Sequence, residues 1–402
     1  MMRAILLLTA LLAAPAAAAQ RCAWQPSWAP SQYVATADNA LPADARQDHT
    51  LRQILRLSIG GTQLRVGLSN AFGTAPLTID AASLAPSPDN KSAAVDAKGL
   101  HPLTFSGSRG VTIPMGAEML SDPVAMTASD FADLAVSIHY AAAPSVQTGH
   151  PGARATSYLA PGNQVDAATL TGATTADRWF NLSAIDVLHC ASAPVVVALG
   201  DSITDGRGTT TNGNDRWTDV LALRLGGKAA VINKGIGGNR LLNDGLGPNA
   251  LARLDRDVLS IAGVTHLIVL EGINDLGTAA QSGPLDEAGH KALVARMIGA
   301  FQQIVERAHM HGIKVIGGTI MPDMDFTGYH PDAAAEADRQ AVNAWIRAPG
   351  HFDALVDFDA VMRDPAQPDR INPAYDVGDH LHPNPAGYKA MGEAVPLKLI
   401  LP

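Results

Sequence analysis

An unbroken apolar run at residues 195–199 is followed at once by Gly200-Asp201-Ser202, and no other stretch limits the possible folds as much. The run begins with three valines, and a run that is apolar at every position is typical of a strand buried on both faces. Such strands belong to parallel sheets, which build their ligand sites at the carboxyl ends of the strands. The sequence therefore predicts that Ser202 lies at the site-bearing edge of a parallel sheet.

The rest of the chain after Pro194 alternates apolar runs with amphipathic segments. Alternating strands and helices indicate a doubly wound parallel sheet with helices on both faces. Further strands are predicted near residues 229–233, 267–270, 313–316 and 355–357. Helices are predicted around residues 217–225, 251–258, 288–309 and 332–347, and after Pro385.

The first half of the chain has a different pattern, with short strands between glycine, proline and serine clusters. Apolar residues alternate on both sides of Gly60-Gly61, which predicts a hairpin with a two-residue turn; they are Leu55, Leu57, Ile59, Leu64, Val66 and Leu68. More strands are predicted near residues 103–105, 111–113, 134–140 and 185–188. Strands at this spacing predict an all-β sandwich or jelly roll.

The amino terminus has the pattern of a secretory signal peptide. A basic start at Arg3 precedes an apolar segment at residues 4–13 and small residues up to Gln20. We expect residues 1–19 to be removed and the mature protein to be secreted, to the periplasm or outside the cell. No later run approaches the roughly 20 apolar residues of a membrane span. The remaining length suggests two domains, at residues 20–190 and 191–402.

Charge and cysteine content narrow the partners and the compartment. A formal net charge of −9 argues against a nucleic-acid partner. Cys22 and Cys190 are the two cysteines, and an isolated pair in an oxidising compartment favours one disulfide. Such a bond would join the starts of the two predicted domains. Two separate buried thiols are the alternative.

Two further residues at predicted strand ends suit the stabilisation of an oxyanion beside Ser202. Gly238 follows the second strand, where the lack of a Cβ lets its backbone N–H approach a ligand. Asn274 follows the third strand and carries a side-chain amide donor. Together with the N–H of Ser202, these groups are predicted to form an oxyanion hole.

A base for the serine is expected in the loop before the last helix. Asp379 and His382 are three residues apart there, so one turn can present both side chains toward Ser202. The carboxylate would then hold the imidazole in one tautomer and stabilise the imidazolium formed during attack. No metal or other cofactor is expected, since His380 and its neighbours lack a second cluster of ligands.

These residues resemble the SGNH or GDSL-type esterases and lipases. Gly200-Asp201-Ser202, Gly238, Gly272-x-Asn274-Asp275 and Asp379-x-x-His382 occur in the family's order. The resemblance covers roughly residues 195–402 and implies a flavodoxin-like three-layer α/β/α fold. It also implies a Ser-His-Asp triad, with Ser202, Gly238 and Asn274 as oxyanion donors and Asp201, Gly272 and Asp275 as supporting residues.

The first half, including Ser69-Asn-Ala-Phe-Gly73, looks like the β-domain of a secreted bacterial and fungal subgroup of that family. The resemblance implies acetyl- or arylesterase activity, with a small ester or an acylated carbohydrate as substrate. A lysophospholipase, lipase or thioesterase of the same fold is the alternative within enzymes. A carbohydrate-binding protein with an inert hydrolase fold is the alternative from another class.

Overall fold

The computed structural model describes residues 22–35, 39–191, 193–279, 281 and 283–401. The predicted signal peptide, residues 1–19, lies outside the described residues. Within the described ranges, no helix combines the length and the apolar character needed to cross a membrane.

The first part of the chain is built from short β-strands that pair in antiparallel fashion. The strands are β1 (Ala23–Trp28), β2 (Tyr33–Ala35), β3 (Gln47–Arg56), β4 (Leu64–Ser69), β5 (Leu77–Ile79), β6 (Ala81–Pro86), β7 (His101–Pro102), β8 (Val111–Ile113), β9 (Glu118–Leu120), β10 (Asp133–Ala142), β11 (Gln147–His150), β12 (Ser157–Pro161), β13 (Thr174–Ala176), β14 (Trp179–Phe180) and β15 (Leu182–His189). Short 3-10 helices occur at Asp44–Arg46 and Ala97–Gly99.

These strands form two larger sheets and two smaller ones. The larger sheets have the orders β1-β15-β4-β9 and β13-β12-β3-β10-β6-β7. The smaller ones are β14-β11-β2 and β5-β8. The prediction of an all-β first part is therefore confirmed.

The predicted hairpin around Gly60-Gly61 is wrong, because β3 and β4 belong to different sheets. Neither glycine has the positive φ that a two-residue hairpin turn requires. The N–H of Gly60 instead donates to Oδ1 of Asp130 at 2.6 Å, and Gly61 forms a bridge with Ala128. The alternating apolar residues of both strands are buried as predicted. A period of two reports which face of a strand is buried, but it does not report which strand lies beside it.

The second part of the chain alternates strands and helices, as predicted. Its strands are β16 (Val195–Gly200), β17 (Ala230–Gly235), β18 (Val264–Leu270), β19 (Lys314–Gly318) and β20 (Ala354–Val356). Its helices are α1 (Ser202–Asp205), α2 (Trp217–Leu225), α3 (Ala250–Leu254), α4 (Ile273–Thr278), α5 (Glu287–Met310), α6 (Ala333–Arg347), α7 (Phe358–Met362) and α8 (Pro385–Ala394). A π-helical turn at Asp255–Leu259 extends α3, and a 3-10 helix lies at Leu397–Leu399.

Helix boundaries fall at residues with the expected capping chemistry. The Asp286 side chain accepts a hydrogen bond from the backbone N–H of Gly289 and so begins α5. Asn384 caps α8 in the same way, with Pro385 at the first helical position. Gly226 ends α2 in the left-handed conformation, with φ of 59°. These local signals explain why the helices could be located from the sequence.

The five strands of the second part form one parallel sheet with the order β17-β16-β18-β19-β20. The first strand in sequence, β16, lies between the second and the third, which is the flavodoxin-like arrangement and its topological switch point. Helix α8 packs with α2 and α7, while α5 packs with α3 and α6. The predicted three-layer α/β/α class is confirmed, and the carboxyl end of β16 lies where such sheets bind ligands.

The two parts share an extensive junction. Cys22 and Cys190 form the predicted disulfide. Strand β1 packs against β17, and the Ser58 hydroxyl accepts a hydrogen bond from the N–H of Val231 at 3.2 Å. Buried apolar side chains from both parts belong to one contiguous cluster. The boundary between two domains near residue 190 stays a prediction.

Candidate active site

The carboxyl edge of the parallel sheet brings the sequence-predicted site residues together. Ser202 is the first residue of α1, directly after β16 and Asp201. Gly238 lies in the turn after β17, and Asn274 lies in the first turn of α4, after β18. His382 approaches Ser202 from the loop that precedes α8. Gly238 and Asn274 follow the two strands beside β16, which end at the same edge, and the loop before α8 brings His382 to Ser202 from 180 positions away.

Ser202, His382 and Asp379 form a continuous hydrogen-bonded chain. The Oγ of Ser202 is 2.8 Å from Nε2 of His382, and Nδ1 of the same imidazole is 2.7 Å from Oδ2 of Asp379. A carboxylate only accepts, so Nδ1 carries the proton and Nε2 is free to accept the serine hydroxyl proton. Ser202 and His382 are each 5 % exposed. This arrangement suits a nucleophile, a base and an orienting acid.

The Asp379 carboxylate is held by its own loop. Its Oδ1 accepts the backbone N–H groups of Leu381 at 3.1 Å and His382 at 2.8 Å, while Oδ2 faces the imidazole. Burial alone would raise the pKa of Asp379, but the hydrogen bonds from the side chain and backbone of His382 outweigh it and hold the pKa well below its usual value. The carboxylate is therefore ionised at neutral pH and fixes the imidazole tautomer.

A tight turn presents Ser202 at the end of β16. A Cβ at Gly200 would overlap the Oγ1 of Thr204 and approach the carbonyl oxygen of Leu270 at 2.8 Å, so the turn requires glycine there. The Asp201 side chain accepts the N–H of Ile203 at 2.9 Å and caps α1. The sequence thus forms a strand, turn and short helix that together project the serine.

Three donors are candidates to stabilise an oxyanion beside Ser202. Among the described residues, the backbone N–H groups of Ser202 and Gly238 have no acceptor. Gly238 adopts φ of 69°, which favours glycine. The Nδ2 of Asn274 donates one of its two protons to the carbonyl oxygen of Asn239 at 2.7 Å. Its second N–H is available for a substrate.

Tyr329 is a site residue that sequence reasoning missed. Its hydroxyl donates to Oδ1 of Asn274 and so fixes which way the amide faces. Burial raises the pKa of Tyr329 to about 12, which keeps the phenol protonated. A Cβ on Gly277 of α4 would overlap the tyrosine ring. Tyr329 lies in the loop between β19 and α6, where no motif distinguishes it.

The supporting residues shape the backbone around these groups. The Asp275 carboxylate accepts the backbone N–H groups of Leu241 at 2.7 Å and Leu242 at 3.0 Å, which holds the segment after Gly238. Gly272 precedes α4 with φ of 112°. Asp275 therefore connects the helix that carries Asn274 to the segment that follows Gly238.

Buried carboxylates beneath the site have raised pKa values. Burial raises the pKa of Asp201 to about 7, with the N–H of Ile203 opposing that shift and nearby Asp275 adding to it. Burial likewise raises the pKa of Asp275 to about 6, against the opposing N–H groups of Leu241 and Leu242. Ionising either group is therefore costly in the folded protein.

The Asp201→Asn variant tests the cost of ionising this carboxyl. A carboxyl group whose pKa is higher in the folded than in the unfolded state stabilises the fold. This contribution is complete at pH values below the pKa of the unfolded state, and it is lost as the pH rises to the pKa of the folded state. For Asp201 the loss runs from about pH 4 to about pH 7. Asparagine keeps the capping oxygen but does not ionise. We therefore expect the difference between the melting temperatures of Asp201→Asn and wild type to change by a few degrees between pH 4 and pH 8, in favour of the variant at the higher pH.

Thermal melts of both proteins in a pH series measure this difference. Asp364→Asn is the control, because Asp364 lies in a mostly exposed loop, where its half-buried side chain accepts the N–H of Ala366. A difference between Asp201→Asn and wild type that stays constant across the series would contradict the raised pKa.

Comparison with known proteins identifies the second part of the chain. Residues 198–390 match the model of the GDSL-like lipase/acylhydrolase family. No curated protein sequence matches the chain. Solved structures that resemble it include a GDSL-like lipase from Bacteroides thetaiotaomicron, which is 23% identical with a TM-score of 0.39. The match covers 50% of this chain and 84% of that chain.

A second similar structure is an acetyl xylan esterase called AlAXEase, which is 21% identical with a TM-score of 0.37. That match covers 50% of this chain and 96% of the other. In both structures the similarity extends over about half of the present chain. Residues 198–390 contain Ser202, the glycine turn, Asn274 and the Asp379–His382 loop. This part of the chain belongs to the GDSL-like lipase/acylhydrolase family, and the protein is an ester hydrolase.

Proposed function

We propose that the protein is a secreted serine esterase that removes short, acetyl-type acyl groups from carbohydrate or aryl alcohols through an acyl-enzyme. The observation that carries the proposal is the hydrogen-bonded chain from Ser202 through His382 to Asp379, at 2.8 and 2.7 Å. The Asn274 amide and the backbone N–H groups of Ser202 and Gly238, which have no acceptor among the described residues, are available beside it.

These residues support a two-step reaction. The Oγ of Ser202 attacks the ester carbonyl carbon while Nε2 of His382 takes the hydroxyl proton. Asp379 stabilises the imidazolium, and the N–H groups of Ser202 and Gly238 with the amide of Asn274 stabilise the oxyanion. The imidazolium then protonates the leaving alcohol oxygen as the ester bond breaks. Water, deprotonated by His382, attacks the acyl-enzyme and releases the carboxylic acid and the serine.

The small amount of exposed apolar surface near the site supports short acyl groups. A Cβ on Gly238 would lie 3.5 Å from Leu246, and one on Gly208 would lie 3.3 Å from Val377. Leu246 and Val377 are 62 % and 44 % exposed. A long acyl chain needs a continuous apolar surface to leave water, and single side chains suit an acetyl group better.

Ester specificity tests the substrate assignment. We expect kcat/KM for aryl esters to fall from acetate to laurate, and acetylated xylan to release acetate. Strong preference for laurate would favour a lipase or lysophospholipase, and preference for matched thioesters would favour a thioesterase. If no ester or thioester is hydrolysed by the folded protein, the chain is a binding protein with an inert hydrolase fold.

Asn274→Ala is expected to lower kcat by on the order of 10²–10³, because one oxyanion donor is lost. KM for the same aryl acetate should change little, since the interaction strengthens only as charge develops on the oxygen. Asn274→Asp keeps the side-chain shape but removes the N–H donors when it is ionised, and should be similarly impaired. A loss of less than threefold in the alanine variant would remove Asn274 from the oxyanion hole.

Secretion is supported by the disulfide between Cys22 and Cys190, since such bonds persist in oxidising compartments. The predicted cleavage near Ala19 would leave Cys22 close to the new amino terminus. Intact-mass measurement of the exported protein checks both points. The expected mass is that of a protein that begins at residue 20, and it should rise by the mass of two hydrogens on reduction.

A further inference from the structure

The helix that carries Ser202 is too short to hold its own position. Helix α1 comprises four residues, Ser202–Asp205, and Gly206 ends it with φ of 100°. One turn of helix is unstable in isolation, because several dihedrals are fixed for a single hydrogen bond. Contacts from outside the helix must therefore fix the serine. Asp205, at the other end of α1, is 3 % exposed and makes such a contact.

The Asp205 carboxylate lies against the first part of the chain. Its Oδ1 is 2.9 Å from Nε2 of His150, the last residue of β11. A Cβ on Gly152 would overlap the carboxylate, and one on Gly237 would lie 3.7 Å from Oδ2. The carboxylate thus lies between the loop after β11 and the turn that carries Gly238. One group touches the supports of both the nucleophile and an oxyanion donor.

The His150 ring has an acceptor at each nitrogen. Its Nδ1 is 2.8 Å from the carbonyl oxygen of Ser31, and its Nε2 faces the Asp205 carboxylate. A carbonyl and an ionised carboxylate only accept, so both ring nitrogens donate when Asp205 is ionised. His382 differs, because its Nε2 faces a hydroxyl that can donate. His150 and Asp205 are a buried hydrogen-bonded pair, and the His150 ring stacks on Trp179 with 5.7 Å between the ring centroids.

Ser31 also connects to the strand on the other side of Ser202. Its hydroxyl accepts from Nη1 of Arg253 at 2.9 Å, and Nη2 of the same guanidinium donates to the carbonyl oxygen of Gly200 at 2.9 Å. Arg253 is fully buried. Ser31 therefore reaches both flanks of the nucleophile, through Arg253 to the end of β16 and through His150 to α1.

We propose that His150 is a positioning residue for the nucleophile. Its imidazolium joins Ser31 to Asp205 and thereby fixes the position of α1 relative to the Gly237-Gly238 turn. The inference rests on the proposed function of Ser202. It assigns the β-strand part of the chain a direct role in the hydrolytic site. That part completes the support of the nucleophile instead of acting only as a separate binding module.

The His150→Gln variant tests the proposal. Glutamine has one donor atom and cannot reach both Ser31 and Asp205, so the buried carboxylate loses its cation. We expect kcat for an aryl acetate to fall about 10²-fold with KM within threefold, because a small misplacement of the attacking atom affects the reaction more than binding. Inactivation of Ser202 by a fluorophosphonate, followed by intact mass, should slow by a similar factor.

His139→Gln is the matched control. His139 also lies between two acceptor groups, the carboxylates of Asp48 and Asp80, within the β-strand part, and it is similarly buried. None of its recorded hydrogen bonds involves α1. This variant should retain kcat and the labelling rate within threefold, even if its melting temperature falls as much as that of His150→Gln. Equal kinetic losses in both variants would overturn the proposal in favour of a general loss of stability.

A measurement on the wild-type protein does not depend on any variant folding. In ¹⁵N-histidine NMR at pH 7, His150 should show two protonated ring nitrogens and His382 one. A neutral His150, or His150→Gln with wild-type kcat, would overturn the positioning role. Failure of the proposed function is distinguishable, because then either the wild-type protein would hydrolyse no ester or Ser202→Ala would keep the wild-type rate, whatever the state of His150.

Discussion

Replacing Ser202 with alanine is expected to lower kcat for a short-chain aryl ester by roughly 10⁶-fold. The variant removes the atom that forms the acyl-enzyme, so His382 has no hydroxyl to deprotonate at 2.8 Å. The oxyanion donors remain, and a residual rate above that of water is expected from them. Steady-state hydrolysis of an aryl acetate measures the loss.

Covalent labelling of the nucleophile provides a second test of the Ser202→Ala variant. A fluorophosphonate should add one adduct to the wild-type protein and none to Ser202→Ala, as read by intact mass. Unchanged melting behaviour would show that the alanine protein is folded; among the described residues, His382 is the one side-chain partner of the Ser202 hydroxyl. Hydrolysis retained within tenfold of wild type would exclude Ser202 as the nucleophile and with it the proposed mechanism.

His382→Asn is expected to cause a loss of similar size, roughly 10⁵- to 10⁶-fold in kcat, because the general base is removed. The imidazole takes the serine proton through Nε2 and depends on Asp379 at Nδ1 for its tautomer. Asparagine is too short to replace either contact. KM should change far less than kcat, since the base acts in the transition state.

The control for His382→Asn is His380→Asn, two residues earlier in the same loop. His380 also has a ring nitrogen 2.7 Å from a carboxylate, that of Asp376, but its side chain is 51% exposed and has no contact with Ser202. It has φ of 66°, a conformation that asparagine tolerates. His380→Asn should keep kcat within threefold of wild type. If both variants lose activity equally, the loop conformation rather than the base would explain the effect.

Much of the second part of the chain could be predicted from local patterns. The apolar run at residues 195–199 became β16, and the capping residues Asp286, Asn384 and Gly226 marked helix ends. Parallel strands that end together place their following residues at one edge. The positions of Ser202, Gly238 and Asn274 could therefore be predicted without knowing any distance.

The first part of the chain was predicted less well. Apolar alternation located β3 and β4, but their pairing was wrong because both strands face one core from different sheets. Turn type depends on φ, which Gly60 and Gly61 leave open because glycine populates both signs. Long-range pairing between antiparallel strands is decided by the packing of whole sheets.

Tyr329 and His150 show a second limit of prediction from the sequence. Tyr329 acts on the amide of Asn274 from 55 residues away, and His150 binds Asp205 across the same separation of 55 residues. Neither belongs to a motif, since a single buried tyrosine or histidine has no periodic pattern. Only the direction of their hydrogen-bonding atoms distinguishes them from ordinary core residues.

The sequence by itself determined the class of the second part, and it placed the residues of the proposed triad at one edge of the sheet, because both follow from strand order and local turns. The tertiary structure decided how the serine is held. Ser202 lies on a single helical turn whose far end is buried against His150, and whose preceding strand end is bound by Arg253. Such contacts depend on the relative placement of two sheets, and residue spacing along one chain does not encode that placement.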